Sequence, residues 1–498
     1  MKIPKYVVEV LSKIKDSGFE AYPVGGCVRD LLMDKTPKDW DITTSAKPAE
    51  LLAIFPEAKY ENTFGTVLLA FKDEAGLVMA VTEVTTFRSE QGYSDRRHPD
   101  EVIFETDIEK DLERRDFTIN ALALKFDHLP ISDDHDYLSQ RELDPGTWQI
   151  IDLFGGQKDI GKRVIRAVGE PSDRFREDAL RMMRAIRFSA QLGFAIEDKT
   201  LRAIAKLAHT VRFVANERIR DELIKIISSP RPAEGILMLH KANLLKYILP
   251  ELELGVGLAQ NKHHKHTVFQ HNVRSLQFCP SHDWRVRLAT LLHDVGKPKS
   301  RKLVNDEITF YNHEYFGAKI TEKIVHRLKF SNDDAIKVIG LVKNHMFYYN
   351  VDEVTAAAVR RLIVKVGKDN LKDLIDLRIG DRLGSDVAKA KPYKLRHLEY
   401  MFDMVQNDPV SVKMLKINGD TLMSELNIEP GPTIGCILDI LLSDVLDDPA
   451  LNNNDWLIAR SLELSHLNLA ELRTKAKQQI EEKRTAEDQS IKKKHWVK

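Results

Sequence analysis

Two aspartates, Asp39 and Asp41, stand two positions apart behind a glycine pair in PVGGCVRDLLMDKTPKDWDITTSA, residues 23–46. On a strand, positions i and i+2 face the same way, so the two carboxylates share a face. Side by side they repel unless a cation lies between them. That arrangement suits Mg2+ held by oxygen ligands beside a nucleoside triphosphate. Gly25 and Gly26 let the backbone turn tightly and offer N–H groups to a phosphate chain. Arg29 adds a charged fork nearby. A lone D-x-D is common in solvated loops; GG-x-VRD eleven or twelve residues ahead of P-x-D-x-D is far more specific.

A second constellation lies in EDALRMMRAIRF, residues 177–188. Ala179, Met182, Met183, Ile186 and Ala190 form an apolar stripe at helical spacing. Glu177, Asp178, Arg181 and Arg184 lie off it. At i and i+3, Asp178 and Arg181 present their groups together. The carboxylate accepts and the guanidinium donates, which mimics a Watson–Crick edge for cytosine or adenine and mismatches guanine or uracil. An isolated D-x-x-R would instead be an ion pair on a solvent face. A third set comprises His271, His293 and Asp294 in LLHDVGKP, His313, His345 and Asp381. Histidines and carboxylates spread over several helices suit a transition-metal or Mg2+ hydrolytic site. Lys297 is placed to steady a phosphate.

These motifs occur in an order that resembles the class II nucleotidyltransferases, the family of tRNA CCA-adding enzymes and bacterial poly(A) polymerases. The resemblance continues through VTEVTTFRSEQGYSDRRHPDEVIF (81–104), DLERRDFTINALAL (111–124), IDLFGGQKDI (151–160), DRFREDALRMMRAIRF (173–188) and ERIRDELIKII (217–227). It implies that Asp39 and Asp41 hold two Mg2+ ions, one activating an RNA 3′-hydroxyl and one neutralising the triphosphate. Glu83 is a weaker assistant on a central strand. Arg114, Arg115, Asp116 and Asn120 resemble the motif that contacts ribose and triphosphate. Glu177, Asp178 and Arg181 resemble the amino-acid template that selects CTP and ATP, with Arg184 on phosphate. The histidine segment is similar to the HD phosphohydrolase superfamily. By that resemblance His271, His293, Asp294 and Asp381 bind an unidentified divalent metal, and His313 and His345 extend the site.

The elements that must position these groups change along the chain. The first 150 residues read as α/β: a helix over 5–15, a strand in EAYPVGG, a helix capped by Ser45 through Phe55, and β-rich GTVLLAF and LVMAVTEVTTF. Beyond about Phe175 helical spacing dominates. The expected architecture is an α/β head with a small mixed sheet (1–155), a helical neck (156–215), a helical body (216–262), an HD-type domain (263–385) and a helical, RNA-gripping tail (386–498). Residues 128–148 read as an insertion. Residues 255–266, with His263, His264 and His266, read as a linker, and 388–394 and 427–432 as breaks. MLKINGDTLMSEL and the segment after it, 414–458, resemble the family's tail. Asp34 stands where the family usually has glycine. By the same resemblance, the loop at 88–100 implies full CCA addition, and the neutral NTFGTVLLAF implies a tRNA substrate rather than polyadenylation.

Composition agrees with a multidomain globular chain. It has 498 residues, 43% hydrophobic and 30% charged, with 75 basic and 75 acidic side chains. Neutrality argues mildly against nucleic acid, since phosphate binding is largely electrostatic. The average hides 16 Lys and Arg against 9 Asp and Glu between Ile160 and Arg231. Three scattered cysteines, Cys27, Cys279 and Cys436, fit a reducing compartment. No signal-like or membrane-spanning run is present. The expected setting is cytoplasmic, with tRNA, ATP and CTP as partners and no membrane; the oligomeric state is not legible. Rival readings are A-adding or poly(A) polymerase activity, or HD hydrolysis with an RNA-binding head.

Overall fold

Alternation builds the first sheet. The structure, a computed structural model, describes residues 2–60, 65–73, 75–91, 101–129, 140–143, 146–260, 265–305, 307–347, 355–386, 391–405, 408 and 411–474. Strands β1 (Ala21–Pro23), β2 (Trp40–Thr44), β3 (Lys59–Tyr60), β4 (Thr66–Lys72) and β5 (Val78–Thr86) make one sheet in the order β1-β2-β5-β4-β3. Only β2 and β5 run parallel, so the sheet is mixed as expected. Ile42, Val67, Leu69 and Val84 turn inward onto Val7, Leu11 and Ile14 of helix α1 (Lys5–Asp16) and Val28 and Leu31 of α2 (Gly26–Leu32).

One cap differs from expectation. Helix α3 (Pro48–Ile54) begins after Lys47, whose N–H donates to Glu50 Oε2 at 2.7 Å. The Ser45 hydroxyl is taken by the Glu20 N–H at 2.9 Å, a partner distant in sequence that a local capping rule does not see. Asp34 adopts φ 55°, in the left-handed region where glycine is usual and aspartate is tolerated. Most of the 128–148 segment, the 92–100 part of the loop, His263, His264, 388–390 and the chain after 474 lie outside the described residues.

Helix α4 (Ile108–Glu113) precedes the arginine pair, and helices α5 (Pro171–Glu177), α6 (Leu180–Leu192) and α7 (Asn216–Ile227) carry the basic segment. The stripe of Ala179, Met182, Met183, Ile186 and Ala190 is buried. The chain divides into two units: residues 1–254 with His326–Phe330, and the remainder. The second unit is mainly helical, with a short antiparallel pair, Lys302–Val304 and Glu307–Thr309. Five of its helices matter here: α8 (Val268–Phe278), α9 (Trp284–Leu292), α10 (His313–Arg327), α11 (Asn332–Asn344) and α12 (Leu371–Gly384). The turn after α9 runs against α10 so closely that a Cβ on Gly296 would stand 2.0 Å from the His313 carbonyl oxygen. Further on, Gly419–Leu426, Pro432–Asp447 and Asn454–Ser465 enclose a separate apolar cluster, with Asn427 left-handed at the break after the first of them. Among the described residues, no helix is long and apolar enough to cross a membrane.

Candidate functional site

The β2–β5 register sets Asp41 opposite Glu83 and Ile42 opposite Val84. Ile42 and Val84 enter the core, while Asp39, Asp41 and Glu83 reach solvent. Partial desolvation raises the Asp41 carboxyl above its ordinary value, Arg115 pulls it back, and Asp39 adds to the rise. A bound cation relieves such a pair. Thr43, on the same strand face, is buried and donates to Asp111 at 3.2 Å.

Asp111 is a residue the sequence reading missed. It lies on α4 one turn ahead of Arg114 and Arg115. Oδ1 accepts Arg114 Nε and Nη2 at 3.0 and 2.7 Å, and Oδ2 accepts Arg115 Nη2 at 3.0 Å. Burial pushes the carboxyl up, but the two guanidiniums prevail and hold it at about 2. The available signal was an acid three and four positions before two arginines. Gly25 has φ 81°, and a Cβ there would stand 3.0 Å from Arg115 Nη1 and 4.0 Å from Asp41 Oδ2. Its N–H does not await a phosphate: it donates to the Leu122 carbonyl at 2.9 Å. Gly26 opens α2.

Behind this runs a buried polar chain. Arg29 donates to Asn120 Oδ1 at 2.8 Å, Asn120 donates to Asp116 Oδ1 at 3.4 Å, and Arg184 Nε donates to Asp116 Oδ2 at 2.6 Å. Burial pushes the Asp116 carboxyl up, but Arg184, Arg181 and Asn120 outweigh it and hold the group below its ordinary value. The guanidiniums of Arg187, Arg29 and Arg184 lie 4.1, 5.5 and 5.6 Å from the Phe188 ring centroid. Arg29 and Arg184 are therefore anchored side chains rather than free forks.

The template segment departs from the expected single helix. Asp178 is extended, with φ −141° and ψ 107°, and separates α5 from α6. The Arg181 N–H still donates to the Asp178 carbonyl at 3.1 Å, but the two side chains are not paired with each other. Arg181 instead binds Glu177 Oε2 and donates to the Arg114 carbonyl at 3.2 Å. Asp178 Oδ1 accepts the Leu180 N–H at 2.9 Å, and Oδ2 accepts Arg218 Nη2 at 2.7 Å.

In the second unit the six sequence-predicted side chains converge. His271, His293 and Asp381 form one group and Asp294, His313 and His345 another, each with ligand atoms within 4.8 Å of one another. Helices α8 and α12 supply His271 and Asp381; the residues just after α9 and α11 supply His293, Asp294 and His345; α10 opens with His313. Asp294 Oδ2 lies 3.5 and 3.4 Å from Nε2 of His271 and His293, and its Oδ1 lies 3.2 and 3.8 Å from Nε2 of His313 and His345. One carboxylate thus joins both groups through separate oxygens. Nδ1 of His293, His313 and His345 faces the carbonyls of Thr290, Phe310 and Val342 at 2.8, 2.9 and 2.7 Å. A carbonyl only accepts, so these Nδ1 atoms carry hydrogen and a neutral ring turns its Nε2 lone pair inward.

Nε2 of His313 and His345, 3.2 Å apart, then face one another lone pair to lone pair, and Nε2 of His271 lies 3.1 Å from that of His293. A shared cation resolves that opposition, so the donor set fits divalent metal. Burial opposes charge on His293, but Asp294 and Asp381 prevail and raise it; burial, then His293 and His313, lowers His345. Lys297, expected to face a phosphate, is buried between Asp294 Oδ2 at 2.5 Å and Gln260 Oε1 at 2.7 Å. Gln260 falls in the segment read as linker and is a packed part of the site, and His266 bonds Asp386 at 2.7 Å.

Family models match the chain in three places: the poly A polymerase head domain at residues 21–166, a probable RNA- and SrmB-binding site of polymerase A at 193–254, and the HD domain at 268–385. A protein of Limosilactobacillus reuteri named CCA-adding enzyme is 34% identical over 469 residues, covering 92% of this chain and 96% of its own. This chain belongs to the CCA-adding enzyme family. Another relative, the A-adding tRNA nucleotidyltransferase of Deinococcus radiodurans, is 35% identical over 351 residues, with 67% and 74% covered. The crystal structure of the Bacillus stearothermophilus CCA-adding enzyme in complex with CTP superposes with a TM-score of 0.66 at 25% identity, covering 93% of this chain and 97% of that one. In CCA-adding enzyme terms, the carboxylate pair, the arginine motif and the template segment fall within or between the first two family matches, and the histidine cluster falls within the third.

Proposed function

We propose that the chain is a cytoplasmic tRNA nucleotidyltransferase that adds C, C and A to the tRNA 3′ end from CTP and ATP, releasing pyrophosphate. The observation that carries it is an open Asp39–Asp41 pair, backed by the Asp111-anchored arginines, in a chain that aligns nearly end to end with a CCA-adding enzyme. In this reading the primer 3′-oxygen attacks the α-phosphorus in line and pyrophosphate leaves. Mg2+ held by Asp39 and Asp41 would activate that oxygen and neutralise the triphosphate. Arg114 and Arg115, both anchored by Asp111, would contact phosphate oxygens, and Asn120 and Asp116 orient Arg29 and Arg184 beside the ribose and phosphates. Asp178 accepts from the amino group of cytosine or adenine, and Arg181, released from Glu177, donates to the adjacent ring nitrogen. The cytoplasm suits three cysteines that are all unpaired.

The test uses tRNA transcripts ending before CCA, after C and after CC, each given CTP, ATP or both with Mg2+. Addition of C, C and A, with a stop, supports the reading. One A on the CC end alone marks A-adding activity, long A tails mark polyadenylation, and no addition overturns the transferase reading. The histidine cluster favours a second activity, metal-dependent hydrolysis of phosphate esters, with the metal held by His271, His293, Asp294, His313, His345 and Asp381. Release of phosphate from RNA-end phosphates, lost in His293→Ala, is its test.

A further inference from the structure

One motif singled out in the sequence, ERIRDELIKII at 217–227, has no role in the account above. It forms α7, and two of its side chains reach back to the neck. Glu222, buried, forms an ion pair with Arg187 at 2.8 Å. Arg218, one turn earlier, grips the Asp178 carboxylate with both terminal nitrogens, Nη2 to Oδ2 at 2.7 Å and Nη1 to Oδ1 at 3.4 Å. Asp178 sits on extended backbone between two helices, where the first turn of α6 holds its side chain by a single N–H. Its only other side-chain hydrogen bond among the described residues is the Leu180 N–H. Arg181, its expected partner, is held elsewhere by Glu177 and by the Arg114 carbonyl.

We infer that Arg218 is a positioning residue that sets base selectivity, by fixing the Asp178 carboxylate as an acceptor for the exocyclic amino group shared by cytosine and adenine. This rests on the reading of Asp178 as the base contact. A carboxylate has about four acceptor directions. The Leu180 N–H and Arg218 Nη1 meet Oδ1 and Arg218 Nη2 meets Oδ2, which leaves Oδ2 one acceptor direction for a base. A guanidinium fork holds both oxygens in one plane, which a single ammonium does not. Uracil and guanine present a carbonyl where cytosine and adenine present the amino group. A fixed acceptor therefore repels them, and a carboxylate free to rotate discriminates less. Arg218 touches Asp178 rather than the base, so its removal should act on the choice among nucleotides.

The experiment measures kcat and KM of the full-length protein for CTP and UTP on tRNA ending before CCA, and for ATP and GTP on tRNA ending in CC. The variants are Arg218→Gln, Arg218→Lys and Glu222→Gln, each checked by thermal melting. Arg218→Gln is expected to lower the CTP-to-UTP and ATP-to-GTP ratios of kcat/KM by about tenfold or more, with the loss falling on CTP and ATP. Arg218→Lys should lie between it and wild type. Glu222→Gln, which loosens the same helix without touching Asp178, should lower the melting temperature and leave both ratios intact. Wild-type ratios in Arg218→Lys and in a folded Arg218→Gln overturn the inference. So does an equal fall in the ratios in Glu222→Gln, which would make the effect structural. Wild-type protein that adds nucleotides without choosing among the four overturns both the inference and the reading of Asp178 beneath it.

Discussion

The head and the histidine cluster use carboxylates in opposite ways. Asp39 and Asp41 stand at the solvent edge of a strand, and the arginines near them are anchored through a different acid, Asp111. Asp294 is buried, and both of its oxygens are surrounded by imidazoles and Lys297. The first arrangement leaves ligand positions open to an incoming triphosphate, which brings much of its own metal coordination. The second organises its donors before any substrate arrives. Oxygen ligands at an open edge suit Mg2+, which keeps waters and exchanges them, whereas converging imidazoles suit Fe2+, Ni2+ or Zn2+. Exposure and donor type together separate the two sites.

The largest expected effect tests that separation. Asp39→Ala or Asp41→Ala should reduce nucleotide addition roughly 1000-fold or more, by loss of charge stabilisation. The same variants should leave phosphate-ester hydrolysis unchanged in a parallel assay. His293→Ala should do the reverse, abolishing hydrolysis and sparing addition. A fall in both activities in either variant would break the comparison. Metal exchange sharpens it next. After chelation and dialysis, Mg2+ alone should restore addition, while hydrolysis should require a nitrogen-preferring metal, read as activity and as metal content by elemental analysis.

A smaller effect concerns stability. Asp111→Asn leaves two guanidiniums without their carboxylate and should cost roughly 3–5 kcal/mol in chemical denaturation. The folded carboxyl lies at about 2 against an ordinary 3.8. Its contribution is therefore complete above a pH of about 4 and drains away as pH falls from about 4 to 2. The wild-type chain should lose stability across that window more steeply than Asp111→Asn. The smallest effect is at Ser45. Replacing it with alanine removes one exposed hydrogen bond to Glu20 and should cost about 1 kcal/mol or less, with the helicity of α3 unchanged because Glu50 supplies the cap.

What the sequence made legible follows how local its cause was. The strand that carries Asp41, the glycine turn and the stripe from Ala179 to Ala190 are written in short-range periodicity. The six HD residues were legible because residue type and order suffice there, whatever the helices do. The break at Asp178 was not, since alanine, leucine and methionine around it all favour helix. The extended residue is held by Arg218, forty positions away. Ser45 failed as a cap for a similar reason, its hydroxyl claimed by a neighbouring segment. Asp111 was legible in principle, as an acid one turn before two arginines, but lay in the shadow of the more conspicuous basic pair.

Gly25 carries two independent constraints, a left-handed φ of 81° and the Arg115 guanidinium 3.0 Å from where a side chain would begin. A second change that made room by shortening Arg115 would leave the backbone strained. The contact yields if the tip of Arg115 moves by a few tenths of an ångström, but the left-handed backbone does not, so it is the backbone that holds the position to glycine even though it performs no chemistry of its own.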